Sequence, residues 1–186
     1  AATASLCQFS DNHILEGNWG IKITGSASKC VINGNLCSSQ TQDGIESVTL
    51  TECIVSGNMV DTPSQRGIEA SGSVDRSIVS GNNVIDAGDY GIYSNDGAGL
   101  SEESIYAGNH TTSTATEAIV IADGVANVVV GNRAEAPINF AALVISKNNS
   151  GKNVVVGNST TTSGTGTGID TNNASATGDA VVANYS

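Results

Sequence analysis

The hexapeptide "CVINGN" at residues 30 to 35 returns as "CIVSGN" at 53 to 58 and as "SIVSGN" at 77 to 82. Aligning the Asn that closes each copy gives Asn12, Asn35, Asn58, Asn82, Asn109, Asn132, Asn158 and Asn184, at spacings of 23, 23, 24, 27, 23, 26 and 26 residues. A period of this size signals a solenoid. Three residues before each Asn stand Phe9, Ile32, Val55, Val79, Tyr106, Val129, Val155 and Val181, apolar in every copy. Eight to ten residues after it, a small residue and an aliphatic one recur as Gly20-Ile21, Gly44-Ile45, Gly67-Ile68, Gly91-Ile92, Ala118-Ile119, Ala142-Leu143 and Gly168-Ile169.

Short β-branched runs broken by Gly, Asn, Ser and Thr read as strands and turns, and helical periodicity is absent. Each copy is too short to bury its own apolar side chains, so copies must stack on one another. The predicted fold is all-β: one domain over residues 1–186, a single-stranded parallel β-helix of about eight turns. At ~4.8 Å per turn the rod is on the order of 38 Å long. The aligned Asn side chains predict a ladder of amide hydrogen bonds. At the corner, Asn accepts the left-handed backbone and the Gly before it relaxes the turn. "NHT" at 109 to 111 and "NST" at 158 to 160 match a glycosylation acceptor, but a column filled in all eight copies argues for a structural role.

Composition narrows the function. An apolar content of 39% is too high for a solvated tail, although charged residues make up only 13%. Net charge is −11, and Lys22, Lys29, Arg66, Arg76, Arg133, Lys147 and Lys152 are spread too thinly to form a basic stripe, so nucleic acid is not an expected partner. No apolar run approaches the roughly 18 residues of a membrane span, so membrane insertion is not expected. The chain opens on Ala1 without Met or a visible leader, and reads as a processed product or an excised piece of something longer.

Cys7, Cys30 and Cys53 stand five residues before the aligned Asn, a column that continues as Ser77, Ser104, Asn127, Asn153 and Asp179. This is a stack of small residues. A disulfide between adjacent turns fits the allowed Cα separation, but three stacked thiols cannot all pair and Cys37 lies in another column, so redox state stays open. His13 and His110 are four turns apart, and neither a metal site nor a cofactor is expected.

The column four before the Asn holds Val31, Ile54, Ile78, Ile105, Val128 and Val154. Neighbours along a strand point to opposite faces, so this column and the apolar one beside it cannot both be internal. One must form an outward ridge, widened by Val130, Val156 and Val182, and such a ridge reads as an oligomer seam. Beyond each small-aliphatic step a second column should face solvent: Lys22, Glu46, Glu69, Tyr93, Val120, Val144 and Asp170. Glu46 and Glu69 fall on consecutive turns, placing two carboxylates roughly 5 Å apart, as in a retaining glycosidase. Their mutual repulsion should raise one pKa. Trp19, Lys22, Asp43, Arg66, Asp89, Tyr90 and Tyr93, with Glu117, supply the rings, acids and cations of a sugar-binding groove. The acidic stretch 95–104 should loop out, and the Thr-rich stretch 160–168 is similar to ice-binding arrays over one turn only.

The stretches "CIVSGNMV…RGIEAS" and "SIVSGNNVIDAGDYGIYS" resemble repeats of the pectate-lyase-like right-handed β-helix superfamily, a likeness that covers nearly the whole chain. That superfamily includes pectate lyases, polygalacturonases, alginate epimerases and bacteriophage tailspikes. The resemblance implies a right-handed coil. "TQDGIES" at 41 to 47 is similar to the polygalacturonase Asn-Thr-Asp-Gly stretch, but the Asn and the companion motifs are missing. "NWGIKI" at 18 to 23 is not the pectate lyase segment, and epimerase motifs are not found. What remains is tailspike-like. It implies binding of bacterial surface polysaccharide on a virion tail or otherwise outside the cell, and a homotrimer. Catalytic acids vary in position among tailspikes and are not transferred by motif, so depolymerisation by Glu46 and Glu69 rests on their spacing. A fibre segment with no sugar site, or a piece of a secreted lyase or hydrolase, are the alternatives.

Overall fold

A computed structural model describes residues 3–94, 101–112, 114–122, 124–137, 140–145, 152–162, 168–170, 180–182 and 184, with the backbone alone at 180–182. Most of the 95–104 excursion and of the 160–168 threonine stretch, and the side chain of Val182, lie outside the described residues.

Every strand pairing is parallel, and each strand hydrogen-bonds to its counterpart one repeat away. The first sheet stacks Gln8–Ser10, Val31–Asn33, Ile54–Ser56, Ile78–Ser80, Ile105–Ala107, Val128–Val130, Val154–Val156 and Ala180–Val182. The second stacks His13–Leu15, Leu36–Ser38, Met59–Asp61, Asn83–Ile85, His110–Thr112, Arg133–Ala136 and Ser159–Thr162. The third runs from Thr3–Ser5 through Ile21–Ser28, Ile45–Thr51, Ile68–Ala70, Ile92–Ser94, Ile119–Ile121 and Leu143–Ile145 to Ile169–Asp170. Among the described residues the chain passes through all three sheets seven times, and Ala180–Val182 opens an eighth turn. The parallel β-solenoid anticipated from the repeat is therefore the fold.

Inside, Ile32, Val55, Val79, Tyr106, Val129 and Val155 form one column at 0–2% exposure. Cys37, Val60, Val84, Thr111, Ala134 and Thr160 form the second, and Ile21, Ile45, Ile68, Ile92, Ile119 and Leu143 the third. The neighbouring ridge does face outward: Ile54, Ile78, Ile105 and Val154 are exposed at 37–41%, while Val31 and Val128 are half-buried.

The Asn ladder is continuous. The backbone N–H of Asn35 donates to Asn58 Oδ1 at 3.1 Å, its Nδ2 donates to the same oxygen at 2.9 Å, and Nδ2 also reaches the Phe9 carbonyl at 2.9 Å. The pattern repeats at Asn58, Asn82, Asn109, Asn132 and Asn158. Asn109 and Asn158 are each 1% exposed, which removes them as glycosylation acceptors. The left-handed corner belongs to the preceding Gly rather than to the Asn, with φ of 61–65° from Gly34 to Gly157. The Asn stays in ordinary backbone because its amide must reach inward along the rod.

The Cys-to-Ser-to-Asn column is a second ladder, which the sequence reading treated only as a stack of small residues. Cys7 N–H meets Cys30 Sγ and Cys30 N–H meets Cys53 Sγ at 3.4 Å. Cys53 N–H then donates to Ser77 Oγ at 2.9 Å, Ser77 N–H to Ser104 Oγ at 3.1 Å, and Ser104 N–H to Asn127 Oδ1 at 2.9 Å. The column changes residue type yet keeps one acceptor per turn. All four cysteines are free thiols.

Candidate functional site

The turn from the second sheet to the third closes on the recurring Gly for reasons of space. A Cβ at Gly67 would stand 2.3 Å from Val84 Cγ1 and 2.5 Å from the Gly91 carbonyl oxygen, and one at Gly44 would stand 2.2 Å from Val60 Cγ1. Two columns flank this step side by side. Immediately before its small residue come Trp19, Asp43, Arg66, Tyr90, Glu117 and Ala141; two residues after that small residue come Lys22, Glu46, Glu69, Tyr93, Val120 and Val144. Strand register places Glu46 opposite Lys22, Glu69 opposite Glu46 and Tyr93 opposite Glu69. Of the residues singled out from sequence for sugar binding, all but Asp89 therefore fall in these two columns, and Asp89 stands one position before Tyr90.

The carboxylates of Asp43, Glu46 and Glu69 each place an oxygen within 4.8 Å of the other two. Lys22 Nζ lies 2.7 Å from Glu46 Oε2 and 3.6 Å from the centroid of the Trp19 ring. Arg66 donates through a terminal guanidinium nitrogen to Glu69 Oε1 at 2.6 Å, holds Asp89 at 3.7 Å, and lies 5.0 Å from the centre of Tyr93. Its backbone N–H donates to Asp43 Oδ1 at 2.9 Å. Tyr90 and Tyr93 stack with centroids 4.4 Å apart.

Three of the expectations change here. First, the column after the step does not uniformly face solvent. Glu69 is 5% exposed, and Val120 and Val144 are buried with Ala122 in a separate apolar cluster against Tyr90, Tyr93 and Ala141. The stacked tyrosines divide the outer face into a polar half and an apolar half. Second, burial is the main cause of the raised Glu69 pKa; Arg66 opposes it, and the neighbouring Asp43 and Glu46 charges add to it. Asp43 is also raised, again chiefly by burial. Third, the rings already stack within the protein, with Trp19 under the Lys22 ammonium and the two tyrosines on each other. These contacts leave less ring surface for a ligand than the sequence suggested.

Asp43 as a third member of the carboxylate group is new. Its signal is the matching position of Asp43 before Gly44 and Arg66 before Gly67, which from spacing alone marks groove lining. Three carboxylates this close could hold a divalent cation, a donor set that the sequence reading did not anticipate. Two of the three already have a protein cation within 2.7 Å. A concavity of about 260 Å³ lined by Thr3, Ala4, Phe9, Lys22, Ile23, Thr24 and Gly25 meets the group only at Lys22. The site is thus a strip along the rod, spanning Lys22 to Tyr93 on four consecutive turns, about 14 Å at ~4.8 Å per turn.

Residues 1–160 match the family model described as "Right handed beta helix region". No curated protein and no solved structure matches the chain.

Proposed function

The chain belongs to the right-handed β-helix family, and from that premise we propose that the strip from Trp19 to Tyr93 binds a polysaccharide and cleaves it. The observation that carries this reading is the meeting of three carboxylates within 4.8 Å beside an Arg, a Lys and three aromatic rings. An extended polymer suits a linear strip on a rod better than a small molecule does, since small ligands are held in enclosing pockets.

In the proposed reaction Glu69 is the general acid, because burial favours its neutral form. It protonates the leaving glycosidic oxygen. Glu46, held near Lys22, attacks the anomeric carbon as a carboxylate, and water then releases the sugar while Glu69 takes a proton back. The separation of the carboxylates supports retention of configuration over inversion. Glu46→Gln and Glu69→Gln are each expected to lower release of new reducing ends by about 100-fold or more while leaving binding in place. Full activity in both variants would discard the pair.

The same reading places the protein outside the cell, as a tailspike-like appendage that recognises bacterial surface polysaccharide. The ridge of Val31, Ile54, Ile78, Ile105, Val128 and Val154 is then the seam between copies in a homotrimer, one strip of each rod turned toward a shared axis. Sedimentation should show a trimer at micromolar concentration, and Ile78→Lys should dissociate it. A monomer for the unaltered chain would remove the seam.

A further inference from the structure

We propose that the polymer is uncharged: a neutral hexose or N-acetylhexosamine chain rather than a uronate, sialate or phosphate polymer. This rests on the carbohydrate reading above and adds the charge of the ligand to it.

The argument is a census of the strip. Asp43, Glu46, Glu69, Asp89 and Glu117 are five carboxyl groups against two cations, Lys22 and Arg66, for a formal charge of −3, or −2 with Glu69 protonated. Both cations are engaged: Lys22 with Glu46 at 2.7 Å, and Arg66 with Glu69 at 2.6 Å and Asp89 at 3.7 Å. Recruiting either one to an anionic sugar would strip a carboxylate of its partner. Glu69 is 5% exposed, so in either protonation state the loss leaves a buried acceptor without its donor. No other lysine or arginine lies in the two columns among the described residues. The whole chain carries −11 and repels polyanions at longer range as well. A neutral chain meets none of these costs. Its hydroxyls can donate to carboxylate oxygens, and its ring faces can rest on what remains accessible of Trp19, Tyr90 and Tyr93.

The test is electrophoresis of the full chain through native gels cast with single polymers. Neutral gels hold a β-glucan, a mannan or an N-acetylglucosamine polymer; acidic gels hold polygalacturonate, alginate or polysialate. Each is run at low and high salt, with and without calcium. The expected result is retardation in a neutral gel, insensitive to salt and weakened about tenfold by Trp19→Ala, with free migration in every acidic gel. Lys22→Ala, at a partly exposed position, serves as a second variant, and circular dichroism checks that both fold. Retardation in an acidic gel that either variant weakens, with or without calcium, overturns the neutral assignment and leaves the carbohydrate site standing. Retardation in no gel, or retardation that neither variant alters, withdraws the site itself and the assignment with it.

Discussion

Asn58→Ala is expected to lower the thermal midpoint by about 10 °C, far more than the same change at the exposed Asn12. Asn58 is 1% exposed and sits mid-ladder. Its Oδ1 accepts the backbone N–H and the Nδ2 of Asn35, and its own Nδ2 donates to the Ile32 carbonyl and to Asn82 Oδ1. Alanine leaves the Asn35 N–H and one Asn35 amide hydrogen without partners in a dry interior. At about 1–3 kcal/mol for each orphaned group, the cost is about 4 kcal/mol. A chain of this length converts each kcal/mol into about 2–4 °C. Differential scanning calorimetry of Asn58→Ala beside Asn12→Ala reads the difference. Equal shifts would mean that the ladder accompanies the stacking of coils without stabilising it.

The period-based reading reached the architecture because stacking forces like positions into register, and register depends on spacing alone. That is why the Glu46–Glu69 adjacency, the outward ridge at Ile54 and Ile78 and the Asn column could all be placed from sequence. Burial on the outer face could not. Whether Val120 is exposed depends on how far the tyrosines and Ala141 reach across it, a matter of side-chain packing between turns rather than of spacing along them. The same gap hid the burial of Glu69 and led the reading to name charge repulsion where desolvation dominates. The thiol-to-amide column was legible as a position but not as a ladder, since Cys, Ser and Asn share an acceptor atom rather than a shape. Corner geometry divided the same way: the Gly-Asn pair marked the turn, while only the backbone showed which of the two takes the left-handed conformation.

Arg66→Met tests whether the carboxylate group is held together by that one guanidinium. Arg66 is the group that lowers the Glu69 pKa against burial, so its removal should push Glu69 further up. At neutral pH the variant keeps a buried carboxylate facing Asp43 and Glu46 with no cation on it, and is expected to lose about 3–5 kcal/mol. The sign of the pH dependence follows from the raised pKa. An acid bound more tightly by its proton in the folded state contributes stability that is fully present below its unfolded pKa of about 4.3 and is lost as pH rises through the folded value. The unaltered chain should already show this trend, since Asp43 and Glu69 are both raised. In Arg66→Met the loss should be steeper and centred at higher pH, so that most of the deficit at pH 7 vanishes near pH 4. Adding Glu69→Gln should restore stability at neutral pH and flatten the profile, because the amide carries no charge to desolvate. Urea melts across this pH range, on the two variants and the unaltered chain, decide the matter. A deficit in Arg66→Met that is the same at acid and neutral pH would assign Arg66 to packing under Tyr93 rather than to holding the charge of Glu69.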